Sequence, residues 1–171
     1  MASLLKNILN FAERFSPAEI AYAHCDIPCG IYDPHEAQMS AHTVIRMDEL
    51  ISQLKEKEST MSKEEYVIML SRYASVKEEH AENCKHQARI LWGDYFKPEH
   101  AQKYPQLQQL VWDIMKQGSE CKQKVDVKAA ESLLESVNKL AEIFWDSKGI
   151  KTQRVKVTYW PTNREIALPK F

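Results

Sequence analysis

The chain has 171 residues, with 23 Lys and Arg against 24 Asp and Glu, and is 44% hydrophobic and 27% charged. It carries only 4 Gly and 7 Pro, about half the usual combined share, which argues against a many-stranded β protein and against disorder. No run approaches the ~20 apolar residues of a membrane span, and a formal charge of −1 without long basic runs argues against nucleic acid as the main partner.

Met1 to Phe15 place Leu4, Leu5, Ile8, Leu9, Ala12 and Phe15 at helical spacing, without the continuous apolar core of a secretory signal. Ser16-Pro17-Ala18-Glu19 is a capping-box pattern for a short helix ending near Ala23. Pro28 and Gly30 then forbid a helix from His24 to Tyr32. Asp33-Pro34 opens the first long helix, with Ala37, Ala41, Val44, Ile45, Ile51 and Leu54 on its apolar face. Ser62 and Glu65 cap a second, running through Tyr66, Met69, Tyr73, Val76, Ala81, Ala88 and Leu91 to about Trp92.

A polar connector lies between Lys97-Pro98 and Tyr104-Pro105. The third helix runs from Pro105 through Leu107, Leu110, Val111, Ile114 and Met115, with Gly118 as its C-cap. Asp126 caps the fourth, which carries Ala130, Leu133, Leu134, Val137, Leu140, Ala141, Phe144 and Trp145 to Gly149. Four amphipathic helices with modest connections predict an all-α, antiparallel four-helix bundle. After Ile150 the alternation of Val155, Val157 and Tyr159 predicts one strand or an extended surface tail.

The chemistry concentrates between His24 and Tyr32. Cys25 and Cys29 offer two thiolates and His24 an imidazole, and Pro28 with Gly30 lets the chain fold back around one ion. A local disulfide or a zinc knuckle are the plain alternatives, although zinc would want a fourth side-chain ligand. If the chain is cut between Ala23 and His24, the freed amine chelates together with the amide nitrogen of Cys25. Two nitrogens and two sulfurs in a plane, with an imidazole above, suit Ni(II) and its oxidised Ni(III) form.

The run His24-Cys25-Asp26-Ile27-Pro28-Cys29-Gly30-Ile31-Tyr32, continued by Asp33-Pro34, resembles the metal-binding hook of the nickel-containing superoxide dismutases. The resemblance continues in Leu91-Trp92-Gly93-Asp94-Tyr95-Phe96-Lys97-Pro98, in Lys103-Tyr104-Pro105-Gln106-Leu107 and in Ile143-Phe144-Trp145, in matching order. It implies a four-helix bundle with an N-terminal hook, assembled as a homohexamer, disproportionating superoxide to oxygen and hydrogen peroxide by Ni(III)/Ni(II) cycling. It also implies that His24, Cys25 and Cys29 bind one nickel ion and that the bond before Pro28 is cis. By the same resemblance Tyr32 stands near the open nickel face, and the backbone amide of Asp26 lines the substrate pocket.

The implied organisation is a propeptide, 1–23, removed by a maturation protease; a bundle domain, 24–149, with the hook at 24–32; and an extension, 150–171, all in the cytoplasm. In some family members a Glu on the first helix and an Arg on the second steady the axial imidazole; counting places Ser40 and His80 there, and neither reproduces that contact.

Other features have plainer readings. His80 and Cys84 share a helix face, but with no third ligand evident they read as packing residues. Trp92 to Pro98 reads as scaffold, and Cys84 and Cys121 as reduced bystanders. Lys151, Arg154, Lys156, Arg164 and Lys170 against Glu165 make the tail basic, which fits a solvated or subunit-contacting segment better than a guide for superoxide. The leader fits a propeptide better than a membrane-surface helix. The competing function is a non-catalytic metal-binding module whose uncut hook carries zinc, copper or nickel.

Overall fold

A computed structural model describes residues 30–170. The predicted leader helices lie outside the described residues, as do His24 to Cys29 and the bond before Pro28. The described chain forms α1 (His35–Glu56), α2 (Lys63–Ile90), α3 (Pro98–Lys103), α4 (Leu107–Gln123), α5 (Val127–Ser147), β1 (Thr152–Lys156) and β2 (Glu165–Pro169). Helices α1, α2, α4 and α5 are the bundle.

Its helix ends follow local chemistry. The Asp33 carboxylate accepts from the His35 amide at 2.7 Å and opens α1. Ser62 and Glu65 form the reciprocal capping box of α2. Asp126 accepts from the amides of Lys128 and Ala129 at the start of α5, and Gly149, at φ +73°, ends it in a conformation that favours glycine.

Small side chains let α1 and α2 approach closely. Ala37 and Ala41 face Ala81, Cys84 and Ala88, all fully buried, and the Cys84 thiol reaches the Ala37 carbonyl at 3.4 Å. Larger residues fill the opposite side of the core: Leu107 and Ile114 from α4, and Leu133, Val137, Leu140 and Phe144 from α5.

Three expectations need correction. Gly118 does not end its helix, because α4 continues to Gln123. A Cβ there would lie 2.8 Å from Lys85 Cγ and 3.3 Å from the Ala81 carbonyl, so the glycine marks where α4 crosses α2. The polar connector contains a helix of its own, α3, with Pro98 in its first turn.

The tail is an antiparallel hairpin with Thr152 opposite Pro169 and Lys156 opposite Glu165. Its second strand, Glu-Ile-Ala-Leu-Pro, lacks the alternation that marks the first; tertiary contacts hold it. Ile166 and Ala167 are buried, and a polar bridge ties β2 to two helices. Gln38 Nε2 donates to Asn138 Oδ1 and to the Ala167 carbonyl, both at 2.9 Å. The Ala167 amide donates to Asn138 Oδ1 at 3.0 Å, and Asn138 Nδ2 donates to the Glu165 carbonyl at 2.8 Å.

At the far end of the bundle Asp48 and Lys77 form a buried ion pair at 3.0 Å, with side chains 0% and 4% exposed. Lys77 also donates to the Lys124 carbonyl, and Asp48 accepts from the Asp126 amide, so the pair ties α1 and α2 to the α4–α5 turn. Burial pushes the Asp48 carboxyl above its ordinary range despite the hydrogen bond from Lys77. The pair therefore fixes geometry more than it adds stability. Asp48→Ala is expected to cost about 3–5 kcal/mol, because it strands the Lys77 ammonium in the interior. Asp48→Leu combined with Lys77→Met should recover most of that loss in urea denaturation; a double variant as unstable as the single one would contradict this.

Candidate metal centre

The segment that follows the predicted ligands enters the bundle through Gly30, Ile31 and Tyr32. Gly30 has φ +72°, a conformation strained for any side chain, which matches its predicted place in the turn. Tyr32 is half-buried and packs against Tyr95, with ring centroids 5.5 Å apart and planes tilted by 56°.

Tyr95 is the hub of that wall, and its position comes from a break in helical period. Beyond Ile90 the backbone makes a single wide turn over Leu91–Tyr95, closed by the Phe96 amide donating to the Leu91 carbonyl at 2.9 Å. The Tyr95 ring then meets Phe144 at 4.6 Å, Phe96 at 5.1 Å and the stacked ring of His100 at 5.7 Å. Its hydroxyl pairs with Ser147 Oγ at 2.7 Å. Lys148 Nζ lies over Phe144 at 4.7 Å and over Tyr95 at 5.5 Å. Below this wall Lys103 pairs with Asp146 at 3.1 Å, and the Tyr104 hydroxyl donates to the same carboxylate.

The scaffold reading of Trp92 to Pro98 allows its aromatics to pack around the hook, and Tyr95 does meet Tyr32 there. The aromatic density of the block was the available signal. A wide turn cannot be inferred from a 3.6-residue period, so the orientation of Tyr95 was not legible.

Ser40 and His80, singled out by counting, do meet. Ser40 is 2% exposed; its hydroxyl lies 3.4 Å from His80 Nδ1 and accepts from Asn83 Nδ2 at 2.8 Å. Asn83 also donates to Glu36 Oε1 at 3.0 Å, in the first turn of α1. The result is a polar bridge between α1 and α2, to which Asn83 contributes although the sequence reading did not name it.

The described residues hold no second metal site. No three His, Cys, Asp or Glu side chains cluster there. His80 turns to Ser40 while Cys84 turns to the Ala37 carbonyl, so they do not act as a metal pair. Cys84 and Cys121 are free and buried. Burial pushes both thiols up, Cys121 to about 12, where the Asp48 carboxylate adds to the effect. The basic tail is also largely compensated. Arg154 pairs with Glu142 at 2.6 Å and Glu135 at 2.9 Å, and Arg164 with Glu131 at 2.6 Å. That disfavours the tail as a guide for anions.

The donor set ahead of this wall fits nickel by its chemistry: two thiolates, an imidazole and, after cleavage, an amine beside an ionisable amide. Bundle, aromatic wall and cysteine-bearing approach together define a helical metalloprotein.

The comparisons identify which kind. The nickel-containing superoxide dismutase family matches residues 19–148. The Streptomyces coelicolor protein named superoxide dismutase [Ni] is 37% identical over 134 residues, covering 78% of this chain and 95% of that protein. The Streptomyces seoulensis protein of the same name is 35% identical over the same span. The native structure of a nickel superoxide dismutase superposes with TM-score 0.61 at 37% identity, covering 73% of this chain and 99% of the other. An apo structure gives 0.59 at 34% identity. The chain belongs to the nickel-containing superoxide dismutase family. The β1–β2 hairpin lies beyond the matched residues.

The thiol environments give a direct test. Iodoacetamide at pH 8 should leave Cys84 and Cys121 unlabelled in the native protein and label both in guanidinium, read by peptide mass mapping. Labelling of either in the native state would contradict the burial.

Proposed function

We propose that this chain is a nickel superoxide dismutase made as a precursor and activated by a cut between Ala23 and His24. The observation that carries the reading is the family match running through the hook into the bundle, with the family's cysteine pair present as Cys25 and Cys29. Nickel held there would supply one-electron redox chemistry between its +3 and +2 states, so that one superoxide loses an electron to give oxygen and a second gains it with two protons to give hydrogen peroxide.

The chain's own residues supply the rest. His24 would hold the ion through its amine and imidazole, Cys25 through its amide nitrogen and sulfur, and Cys29 through its sulfur. Anionic amidate and thiolate donors favour the higher oxidation state. Tyr32 would stand near the ion, where its hydroxyl would order water and limit which anions approach, and the Asp26 amide would line the same pocket.

Tyr32 can act as a gate only if it holds still, and its packing on Tyr95, itself tied to Ser147, provides that restraint. Ser40 and His80, at the positions of the family's Glu and Arg, bond to each other and, through Ser40, to Asn83.

The working assembly is a homohexamer in the cytoplasm, matured by a protease acting before His24. No helix among the described residues is long and apolar enough to cross a membrane.

Intact-mass analysis of purified, active protein tests the reading. The active species should begin at His24 and contain nickel; activity in a chain that retains residues 1–23 would overturn the ligand set. Cys25→Ser or Cys29→Ser should abolish dismutase activity while circular dichroism keeps its helical signal. Near-normal turnover in either variant would also overturn it, and a zinc-loaded, inactive protein would favour the non-catalytic module.

A further inference from the structure

We propose that the β1–β2 hairpin is an acid-sensitive latch on α1, released when His42 takes up a proton. The latch is independent of what the hook binds.

His42 is 1% exposed, beneath the hairpin. Its Nδ1 lies 3.2 Å from the Gln38 carbonyl oxygen, one turn earlier on α1. A carbonyl only accepts, so Nδ1 carries the proton and Nε2 is the bare nitrogen. Nε2 is buried with no hydrogen-bond partner among the described residues. The Tyr159 ring of the hairpin stands edge-on to the imidazole, with centroids 5.5 Å apart and planes at 72°. This pocket accepts the neutral ring; a second proton would be a donor without an acceptor and a charge without water.

The surrounding charges oppose that proton as well. The hairpin contributes Arg164 and α1 contributes His35; Arg46, one turn on, is engaged by the Trp160 ring at 5.1 Å. The carboxylates on α1 and α5 in this region, Glu49 and Glu131, are both engaged by Arg164, at 3.6 and 2.6 Å. Burial holds His42 below its ordinary 6.5; the bond to Gln38 opposes this, and Arg164 and His35 reinforce it.

The sign follows. With the hairpin lifted, His42 returns to water and to its ordinary value, so the released state binds the proton more tightly. Docking is strongest above about pH 6.5 and weakens as pH falls, by up to tenfold for each unit below it. Release breaks the bonds of Ala167 to Gln38 and Asn138.

Native-state hydrogen exchange by NMR on the full chain reads the latch directly. The Ala167 amide, which donates to Asn138, should lose protection severalfold, up to about tenfold, between pH 7.5 and 5.5. The Leu140 amide in the core of α5 should stay protected, and His42→Gln should hold Ala167 protection level across the range. Constant protection in the wild type, an equal loss in His42→Gln, or loss at Leu140 in step would each overturn the proposal. If His42→Gln fails to dock at pH 7.5, the wild-type His42 ring decides. Titration below pH 6.5 coincident with the loss at Ala167 supports the latch, and titration at or above 6.5 with Ala167 protected contradicts it.

Discussion

The packing of Tyr32 on Tyr95 joins the segment that precedes α1 to the bundle, and the proposed metal centre depends on it. Tyr95 reaches that position because the chain abandons helical period at Leu91, and because Phe144, Phe96 and His100 leave its ring no alternative place. The hydroxyl bond to Ser147 then ties the ring to the last turn of α5. Three separate stretches of sequence thus converge on one tyrosine, and through it Tyr32 is tied to the bundle.

Much of this was legible. The capping residues Asp33, Ser62 and Asp126 and the terminator Gly149 act where local rules put them, because helix ends are governed by nearest neighbours along the chain. The donor types in the hook were legible for the same reason, since ligand identity is a property of residues and short spacing. Features set by partners distant in sequence were not. Gly118 looks like a stop signal but is a crossing point, and only the position of Lys85 and Ala81 distinguishes the two. The second hairpin strand has no pattern of its own and exists because Gln38 and Asn138 offer its backbone partners. Ser40 and His80 could be located by counting, while Asn83 joins them through the register of two helices.

Polar groups in the interior do different work at the two ends. Asp48 and Lys77 are charged, buried and paired, and hold two helices against the turn joining the other two. Ser40 and Asn83 are uncharged and, with Glu36, join the first turns of α1 to α2. The hairpin adds a third polar layer, on the face of α1 that meets α5, and spends its arginines on glutamates of the bundle. Its basic character is thus structural, and it extends the matched family fold without altering the aromatic wall.

The central claim is that the thiolates and the freed amine of this chain hold a nickel ion that changes oxidation state. Electron paramagnetic resonance of the purified, processed protein tests it most directly. An odd-electron, low-spin Ni(III) signal that disappears on reduction with superoxide or dithionite, in protein beginning at His24, is the predicted result. A sample that is silent before and after oxidation, carries zinc and lacks dismutase activity would contradict the account.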